Sequence, residues 1–293
     1  MRKESFSRKL FLLFDAIIMI LLMVVCLYPM LYVVFASFSD SAKLMANTGL
    51  LWKPIGFNTA AYKAVAENPM ILSGYGNTLF ILFFGVIINI TMTSLAAYFL
   101  SRKNKIMLKG PIMALMIFTM YFSGGMIPIF LTVKNLGLYN SLWGVILPGT
   151  ISTYNLIIMR TSFMSIPANL EEAAFLDGAG HLTILWHVVL PLSKAIIAVM
   201  VLYYGVGHWN AWFNASIYLN DRSKYPLQLI LREILLQNDV SNMAQNAGSA
   251  EIYSVAESIK YAVVVVATLP ILCIYPFLQK YFVKGVMIGA LKG

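Results

Sequence analysis

The sequence predicts an all-α polytopic membrane protein with six transmembrane helices. The first observation is composition: of 293 residues, 60% are hydrophobic and only 11% are charged, whereas about 25% of the residues of a soluble domain are charged. The second is that the apolar residues form runs of about 20 residues, the length that a helix needs to cross the ~30 Å hydrocarbon core of a bilayer. Lipid is therefore predicted to be the main solvent of this chain.

Six apolar runs of sufficient length follow one another along the chain. In order, they are Leu10–Ala36, Thr78–Leu100, Pro111–Val133, Ser141–Met159, Pro191–Phe213 and Tyr261–Val283. No small-residue cleavage site follows the first run, so it is predicted to be a retained helix and not a removed signal peptide. The pair Gly124-Gly125 and the internal prolines are tolerated in membrane helices and predict kinks.

The basic residues predict the orientation, because Lys and Arg gather in the short cytoplasmic loops of membrane proteins. With the N-terminus inside, the cytoplasmic segments hold 13 of the 21 Lys and Arg residues, namely Arg2, Lys3, Arg8, Lys9, Arg102, Lys103, Lys105, Lys109, Arg160, Lys194, Lys280, Lys284 and Lys292. Both termini and residues 161–190 are then predicted to be cytoplasmic. The net charge of +9 fits this loop bias, and no nucleic-acid-binding signature accompanies it.

The acidic residues disfavour an ion-coupled carrier, which usually places ionisable groups at mid-membrane depth. Of the 12 Asp and Glu, only Asp15 falls within a predicted span, and it lies close to the end of that span. The chain also has no HExxH, no metal-ligand cysteine spacing, no serine-nucleophile elbow and no Gly-Lys dipeptide of a Walker A loop. The sequence predicts a protein that is not an enzyme and holds no cofactor itself. An ion-coupled secondary transporter of a polar solute is the alternative.

A polar segment, EEAAFLDGAGHLTILWHVVLPL at residues 171–192, interrupts the apolar chain. At about 100° per residue, one helical face contains Ile166, Leu170, Ala173 and Ala174. Glu172 points almost the opposite way, with Phe175 beside it. We therefore expect the apolar face to pack against the protein and Glu172 to be presented to a partner.

The same segment contains a predicted helix stop at Asp177-Gly178, because Gly accepts the left-handed conformation that ends helices. A second short helix is predicted at His181–Val189, and Leu190-Pro191 then leads into the fifth span. The sequence thus predicts a compact helix–turn–helix that is too short and too polar to span a membrane.

This segment resembles the EAA loop of binding-protein-dependent ABC importer permeases, in the spacing of Glu172-Ala173-Ala174, Asp177-Gly178-Ala179 and Leu190-Pro191. Four further stretches are similar to the carbohydrate branch of that family: LYPMLYVVFASFSD, GGMIPIFLTVKNLGLYNSLWGVILPG, GHWNAWFNA and YFVKGVMIGALKG. They resemble the maltose-type small permease and, more closely, the permeases of aldouronate, lipoprotein-associated and alginate importers. The resemblance covers essentially the whole chain. It implies one transmembrane domain over residues 1–293, with a core at 75–285 and the EAA coupling loop at 161–190.

The resemblance further implies a subunit of an ATP-driven oligosaccharide importer in the bacterial plasma (inner) membrane. The implied partners are a second, homologous permease, two cytoplasmic ATPase subunits that hold ATP and Mg, and an extracytoplasmic solute-binding protein. In such importers the EAA glutamate pairs with a basic residue of the ATPase, and the C-terminal tail lies between the ATPase subunits. The residues implied in this coupling are Glu172, Ala173, Ala174, Asp177, Gly178, Leu190, Pro191, Gly285 and Lys292.

Candidates for the solute path are aromatic and amide side chains, which commonly hold sugars. They are His208, Trp209, Asn210, Trp212, Asn214, Asn89 and Asn155. Packing between helices is the alternative role for each, because polar residues often bond neighbouring membrane helices. The overall resemblance favours acidic, uronate-containing oligosaccharides. A carboxylate in a path of low dielectric constant needs donors, and His208 is the first candidate to supply one.

Overall fold

The described part of the chain is helical. The computed structural model describes residues 6–102, 108–237, 258–274 and 276, and these residues contain no strand. The α-helices are α1 (Phe6–Ser37), α2 (Ser41–Ala46), α3 (Ala60–Glu67), α4 (Pro69–Ser101), α5 (Lys109–Tyr121), α6 (Met126–Asn135), α7 (Leu142–Ile146), α8 (Thr153–Met164), α9 (Ala168–Leu176), α10 (His181–Ile184), α11 (Leu190–Leu192), α12 (Lys194–Asn210), α13 (Phe213–Tyr218), α14 (Leu227–Gln237) and α15 (Ser258–Ile274). Two 3₁₀ turns lie at Leu147–Gly149 and Arg222–Lys224, and a π-helical turn lies at Leu185–Val189.

The chain divides into two compact units. One comprises Met1–Pro69 and Leu231–Leu269, and the other comprises Met70–Ile230 and Pro270–Gly293. In the first unit, buried serines attach the start of α15 to the turn after α1. Ser258 Oγ donates to the carbonyl of Ser39 at 2.7 Å, and Ser41 Oγ donates to Ser258 Oγ at 2.8 Å. The assignment of residues 1–293 to one transmembrane domain stays a prediction.

Helix α4 carries the buried face around which the second unit packs. Its buried residues recur every three or four positions, as a helix face requires, and many are small or polar: Gly74, Thr78, Gly85, Asn89, Thr93, Ser94, Ala97 and Ser101. Small side chains let helices approach closely in a membrane protein. Near one end, Ile81 packs with Val145, Ile146, Ala215, Leu219 and Leu229. Toward the other end, α4 packs with buried residues of α8, α12 and the π-helical turn, among them Leu156, Met159, Phe163, Leu185, Val189 and Met200.

The first two predicted spans are confirmed as single long helices. Helix α1 has 32 residues and α4 has 33, and both are apolar enough to cross a membrane. At 1.5 Å per residue, each exceeds the ~30 Å hydrocarbon core. Helix α4 begins nine residues before the predicted Thr78, because the polar residues ahead of Thr78 continue the same helix.

The third predicted span, Pro111–Val133, is wrong as a continuous helix. Helices α5 and α6 meet at an angle of 116° across residues 122–125. Gly125 has φ +92° there, a conformation that interrupts a right-handed helix and that Gly accepts without strain. The chain therefore bends at the Gly124-Gly125 pair by far more than the predicted kink.

The fourth predicted span, Ser141–Met159, is bent, the fifth, Pro191–Phe213, has a bend at its start, and the last is described only in part. Leu142–Gly149 and Thr153–Met164 meet at 51°, and His181–Leu192 and Lys194–Asn210 meet at 87°. Within the described residues, two helices are long enough to span alone, and the number rises to five if each bent pair is one span. The predicted Tyr261–Val283 coincides with α15 as far as Ile274, and residues 277–283 lie outside the described residues.

Candidate functional site

The helix–turn–helix predicted for residues 161–190 is present as α9, a turn and α10. Helix α9 ends at the predicted Asp177-Gly178 stop. Gly178 has φ +82°, its N–H donates to the carbonyl of Phe175 at 3.0 Å, and the N–H of Ala179 donates to the carbonyl of Ala174 at 2.9 Å. These two bonds form a Schellman motif, which pairs carbonyls that the helix end leaves without partners.

The predicted rotation of α9 is correct in part. Ala174 and Ile166 pack against the hydrophobic cluster of α4, α8 and α12. Leu170, predicted on the same face, is 44% exposed, and Ala173 is exposed as well. The buried side of α9 is rotated from the predicted apolar face, because it includes a carboxylate, Glu171, which is only 7% exposed.

Glu171 forms an ion pair with Arg102, the residue that directly follows α4. The side chains of both residues are largely buried. Burial lowers the pKa of the Arg102 guanidinium from its ordinary value, because desolvation penalises its charged form. Sequence analysis missed this pair, since helical periodicity cannot show which of two adjacent glutamates meets a distant arginine.

The other glutamate, Glu172, is exposed, as predicted. It borders a pocket of about 410 Å³ between the ends of α4 and α8 and the start of α9, lined by Ser101, Arg102, Phe163, Met164, Ile166, Ala168, Glu171, Glu172, Phe175 and His181. Phe175 is 41% exposed and meets the ring of His181 edge-on at 5.0 Å between centroids. A carboxylate and an aromatic ring are thus presented side by side on the outer surface of α9.

The second half of the segment leads into α12 through the π-helical turn. The N–H of Leu190 donates to the carbonyl of Leu185, and Pro191, which has no N–H to donate, follows directly. Ser193 marks the 87° bend between His181–Leu192 and Lys194–Asn210. Of the remaining coupling candidates, Leu190 is half-buried, whereas Asp177 and Pro191 are exposed. Gly285 and Lys292 lie outside the described residues.

A second candidate site surrounds Asn89, at the middle of α4. Its side-chain amide donates to the carbonyls of Gly149 and Thr150, at 3.0 and 2.7 Å. These carbonyls lie at the break between α7 and α8. Because the amide nitrogen faces the carbonyls, Asn89 Oδ1 faces His208 Nε2 at 2.6 Å. An amide oxygen only accepts, so His208 Nε2 carries the proton and donates it.

Two residues that sequence analysis missed complete this network. Gly85 lies so close to the imidazole that a Cβ there would meet His208 Nε2 at 2.6 Å. The hydroxyl of Tyr204 accepts from the N–H of Ser152 at 3.1 Å and bonds the hydroxyl of Thr93 at 2.8 Å. Asn89 and Tyr204 therefore hold the broken helix from two sides.

The other solute-path candidates differ in their exposure. Trp209 and Asn155 are buried, and Trp209 meets the ring of Tyr75 edge-on at 6.2 Å. Asn210 and Asn214 are exposed, and Trp212 is half-buried. Asn89 is fully buried with its amide bonded, whereas His208 is half-buried. Among these candidates, the structure joins the side chains of His208 and Asn89 by a hydrogen bond.

The chain is similar to known transport proteins. The family model of the binding-protein-dependent transport system inner membrane component matches residues 89–288. Over 289 residues, the chain is 40% identical to the polygalacturonan/rhamnogalacturonan transport system permease protein YtcP of Bacillus subtilis (strain 168), with 96% of this chain and 99% of YtcP covered. It is 41% identical over 275 residues to Protein LplC of the same organism, with 92% of this chain and 90% of LplC covered.

A solved structure has the same fold over nearly the whole chain. It is the crystal structure of a bacterial ABC transporter involved in the import of the acidic polysaccharide alginate. The TM-score is 0.89 at 31% sequence identity, and the match covers 96% of this chain and 100% of the matched chain.

The turn after α9 yields a first prediction. Gly178→Val is expected to destabilise the Schellman turn by about 1–2 kcal/mol or more, because a side chain at positive φ is strained. Gly180→Val is the matched control: Gly180 has φ −77°, and a Cβ meets nothing within 4 Å at either glycine. Hydrogen exchange of the Gly178 and Ala179 amides in detergent should accelerate about tenfold in the first variant only. Equal exchange in both variants would contradict a left-handed requirement at Gly178.

The close approach at Gly85 yields a second prediction. Gly85→Ala places a methyl group against His208 Nε2, so the imidazole should move away and lose its bond to Asn89. The chain has three histidines, so ¹⁵N-histidine labelling with NMR can follow the Nε2–H signal of His208. That signal should shift in Gly85→Ala and stay in place in Gly207→Ala, where a Cβ meets nothing within 4 Å. An unshifted signal in Gly85→Ala would show that the imidazole does not lie against α4.

Proposed function

The chain belongs to the family of binding-protein-dependent transport system inner membrane components, and we propose that it forms the permease subunit of an ATP-driven importer of acidic oligosaccharides. It is a sugar permease of the ABC importer type and an inner membrane protein. Its relatives are transport subunits and not enzymes.

The proposal of an acidic substrate rests on one observation. Two similar proteins, one matched by sequence and one by structure, both belong to transport systems for acidic polysaccharides. Polygalacturonan, in the name of YtcP, is a chain of uronic acids, and alginate is the acidic polysaccharide of the solved transporter. Oligosaccharides that carry carboxylates are therefore the substrates that the likenesses favour most.

His208 supports this proposal from within the chain. A carboxylate that crosses a path of low dielectric constant needs a donor or a positive charge. Asn89 accepts from Nε2, and Nδ1 of His208 has no hydrogen-bond partner among the described residues. The negative charge of a solute carboxylate beside the ring would favour a second proton, which would make Nδ1 a donor and the ring a cation. Asn89 would thus hold the imidazole while Nδ1 meets the solute.

The membrane topology that we propose has six spans, with both termini and residues 161–190 in the cytoplasm. It counts α5 with α6 as one span and α7 with α8 as another, takes α12 as the fifth span, and takes residues 261–283 as the sixth. The excess of Lys and Arg on the short cytoplasmic segments supports the orientation. Residues 1–293 then form one transmembrane domain, with a core at 75–285.

The partners that we propose are a second permease, two ATPase subunits and an extracytoplasmic solute-binding protein. ATP and Mg would lie on the ATPase subunits. The exposed outer surface of α9, with Glu172 and Phe175, is the surface on which an ATPase subunit would dock, and Glu172 would pair there with a basic residue. ATP binding would draw the ATPase subunits together, and α9 would carry this motion to the spans, so that the path opens outward.

The docking of Glu172 yields a third prediction. Glu172→Lys is expected to abolish uptake and prevent co-purification of the ATPase subunits, because two like charges in contact cost several kcal/mol. Glu67→Lys is the control, since Glu67 is also an exposed helical glutamate. It should insert, bind the ATPase subunits and transport as the parent does. Uptake at the parent rate in Glu172→Lys would rule out docking through this residue.

The substrate yields a fourth prediction. In vesicles with the complete transporter, oligouronates are expected to stimulate ATP hydrolysis more than neutral oligosaccharides of equal length. His208→Ala should reduce the stimulated rate about tenfold, the order of one charge-assisted hydrogen bond. It should affect the basal rate far less, because His208 lies at the far end of α12 from the bend at Ser193. Stimulation by neutral sugars alone would contradict the acidic substrate, and the proposal would then be reduced to a sugar importer.

A further inference from the structure

Adjacent carboxylates on α9 have opposite surroundings. Glu172 is exposed, whereas Glu171 is 7% exposed and paired with Arg102. Successive residues of a helix point about 100° apart, so one side of α9 faces a partner while an adjacent side is fixed to its own chain. Helix α9 thus offers Glu172 to a partner and is joined to its own chain through Glu171. A movement of the partner could therefore be transmitted through α9.

Arg102 connects three helix ends. It follows the last residue of α4, and its guanidinium lies over the ring of Tyr98 at 4.7 Å from the centroid. Its Nη2 donates to the carbonyl of Phe163, near the end of α8, at 3.3 Å. The ion pair with Glu171 adds the first turn of α9. A guanidinium suits such a junction because its planar fork of donors can bond several acceptors in fixed directions.

Neighbouring contacts strengthen the same junction. Arg160 of α8 donates from Nε to the carbonyl of Leu100 at 3.0 Å, which ties α8 to α4 once more. The ring of His181 meets Tyr98 edge-on at 6.2 Å, so α10 also reaches α4. The C-terminal end of α4 is thus bonded to α8 and α9 through polar groups whose geometry is directional.

Stability alone does not account for a buried ion pair at this place. Removing two charges from water is costly, and a well-packed apolar pair of similar volume often stabilises a fold as well or better. An ion pair differs from an apolar contact in that its two groups must stay together, because separating them leaves a buried charge without a partner. The feature that Arg102 and Glu171 provide, and that leucines would not, is a fixed orientation of α9 relative to α4 and α8.

We propose that Arg102 and Glu171 are positioning residues that make α9 move as one body with the ends of α4 and α8. The proposal rests on the proposed function, in which α9 docks on an ATPase subunit. With the pair intact, a displacement at Glu172 and Phe175 is passed to the membrane helices. With the pair broken, α9 still docks, but it turns without moving α4 fully, so ATP is hydrolysed with much less solute transported.

Charge reversal tests this link. The variants are Glu171→Arg, Arg102→Glu and the double swap of the two, each purified as the complete transporter in vesicles. Three quantities are compared: bound ATPase subunits, ATP hydrolysis stimulated by the loaded binding protein, and solute taken up per ATP hydrolysed. The single reversals should retain the ATPase subunits and lower uptake per ATP about tenfold, within the usual range of coupling effects. The double swap should restore most of the uptake, since the ion pair re-forms with its ends exchanged.

A milder variant covers the case in which a reversal prevents insertion. Glu171→Gln keeps the shape and loses the charge, so it should insert, retain the ATPase subunits and transport several-fold less solute per ATP. Parent-level uptake per ATP in Glu171→Gln, or a double swap no better than the single reversals, would overturn the proposal. Loss of the ATPase subunits from Glu171→Gln would also overturn it, because Glu171 would then act in docking itself.

The same assay separates this proposal from the docking of α9. Glu172→Lys should lose the ATPase subunits, whereas the Glu171 variants should keep them. If Glu172→Lys keeps the subunits and transports normally, the docking surface is wrong whatever the Glu171 variants do. If Glu172→Lys fails as expected and the Glu171 variants behave as the parent, docking stands and the positioning role is wrong.

Discussion

A helix that breaks inside a membrane exposes backbone carbonyls and N–H groups to a solvent that cannot bond them, and the second unit is organised around this constraint. Two of its bent helix pairs are fixed to the long, unbroken α4 by polar side chains. Asn89 pairs the carbonyls at the break between α7 and α8, and Thr93 reaches Tyr204 on α12. Thr78 accepts from the N–H of Leu227, the first residue of α14. The stripe of small and polar residues on α4 therefore anchors the bent helices.

Arg102 extends this arrangement beyond the end of α4. Asn89 and Thr78 of the stripe bond backbone groups, whereas Arg102 joins the helix–turn–helix segment to α4 through a charge. The Schellman turn at Gly178 then sets the angle between α9 and α10, and the bend at Ser193 leads into α12. In an importer, this continuity would offer a route from the proposed docking surface at Glu172 to His208, the residue proposed to meet the solute, entirely within one compact unit.

The sequence predicted the features that depend on neighbouring residues. The presence of the long helices α1 and α4 follows from apolar runs, and the stop at Gly178 follows from a residue type with a local conformational preference. Features that depend on distant residues were not predicted. Periodicity could not distinguish Glu171 from Glu172, because the distinction is made by an arginine on another helix. The position of the turn at residues 122–125 was predicted from Gly124-Gly125, but its angle was not, because a run that is apolar throughout looks alike whether it crosses lipid directly or turns within the protein.

The central claim is that α9 and α4 form one rigid body during transport, and a distance measurement tests it most directly. Spin labels can be attached at Met92, on an exposed side of α4, and at Leu176, at the exposed end of α9, after Cys26 and Cys273 have been replaced by serine. Pulsed electron–electron double resonance on the complete transporter should then give one narrow distribution of the distance between the two labels, and the addition of ATP should leave it unchanged. A second distance, or a distribution that shifts on ATP binding, would show that α9 moves independently of α4 and would contradict the account.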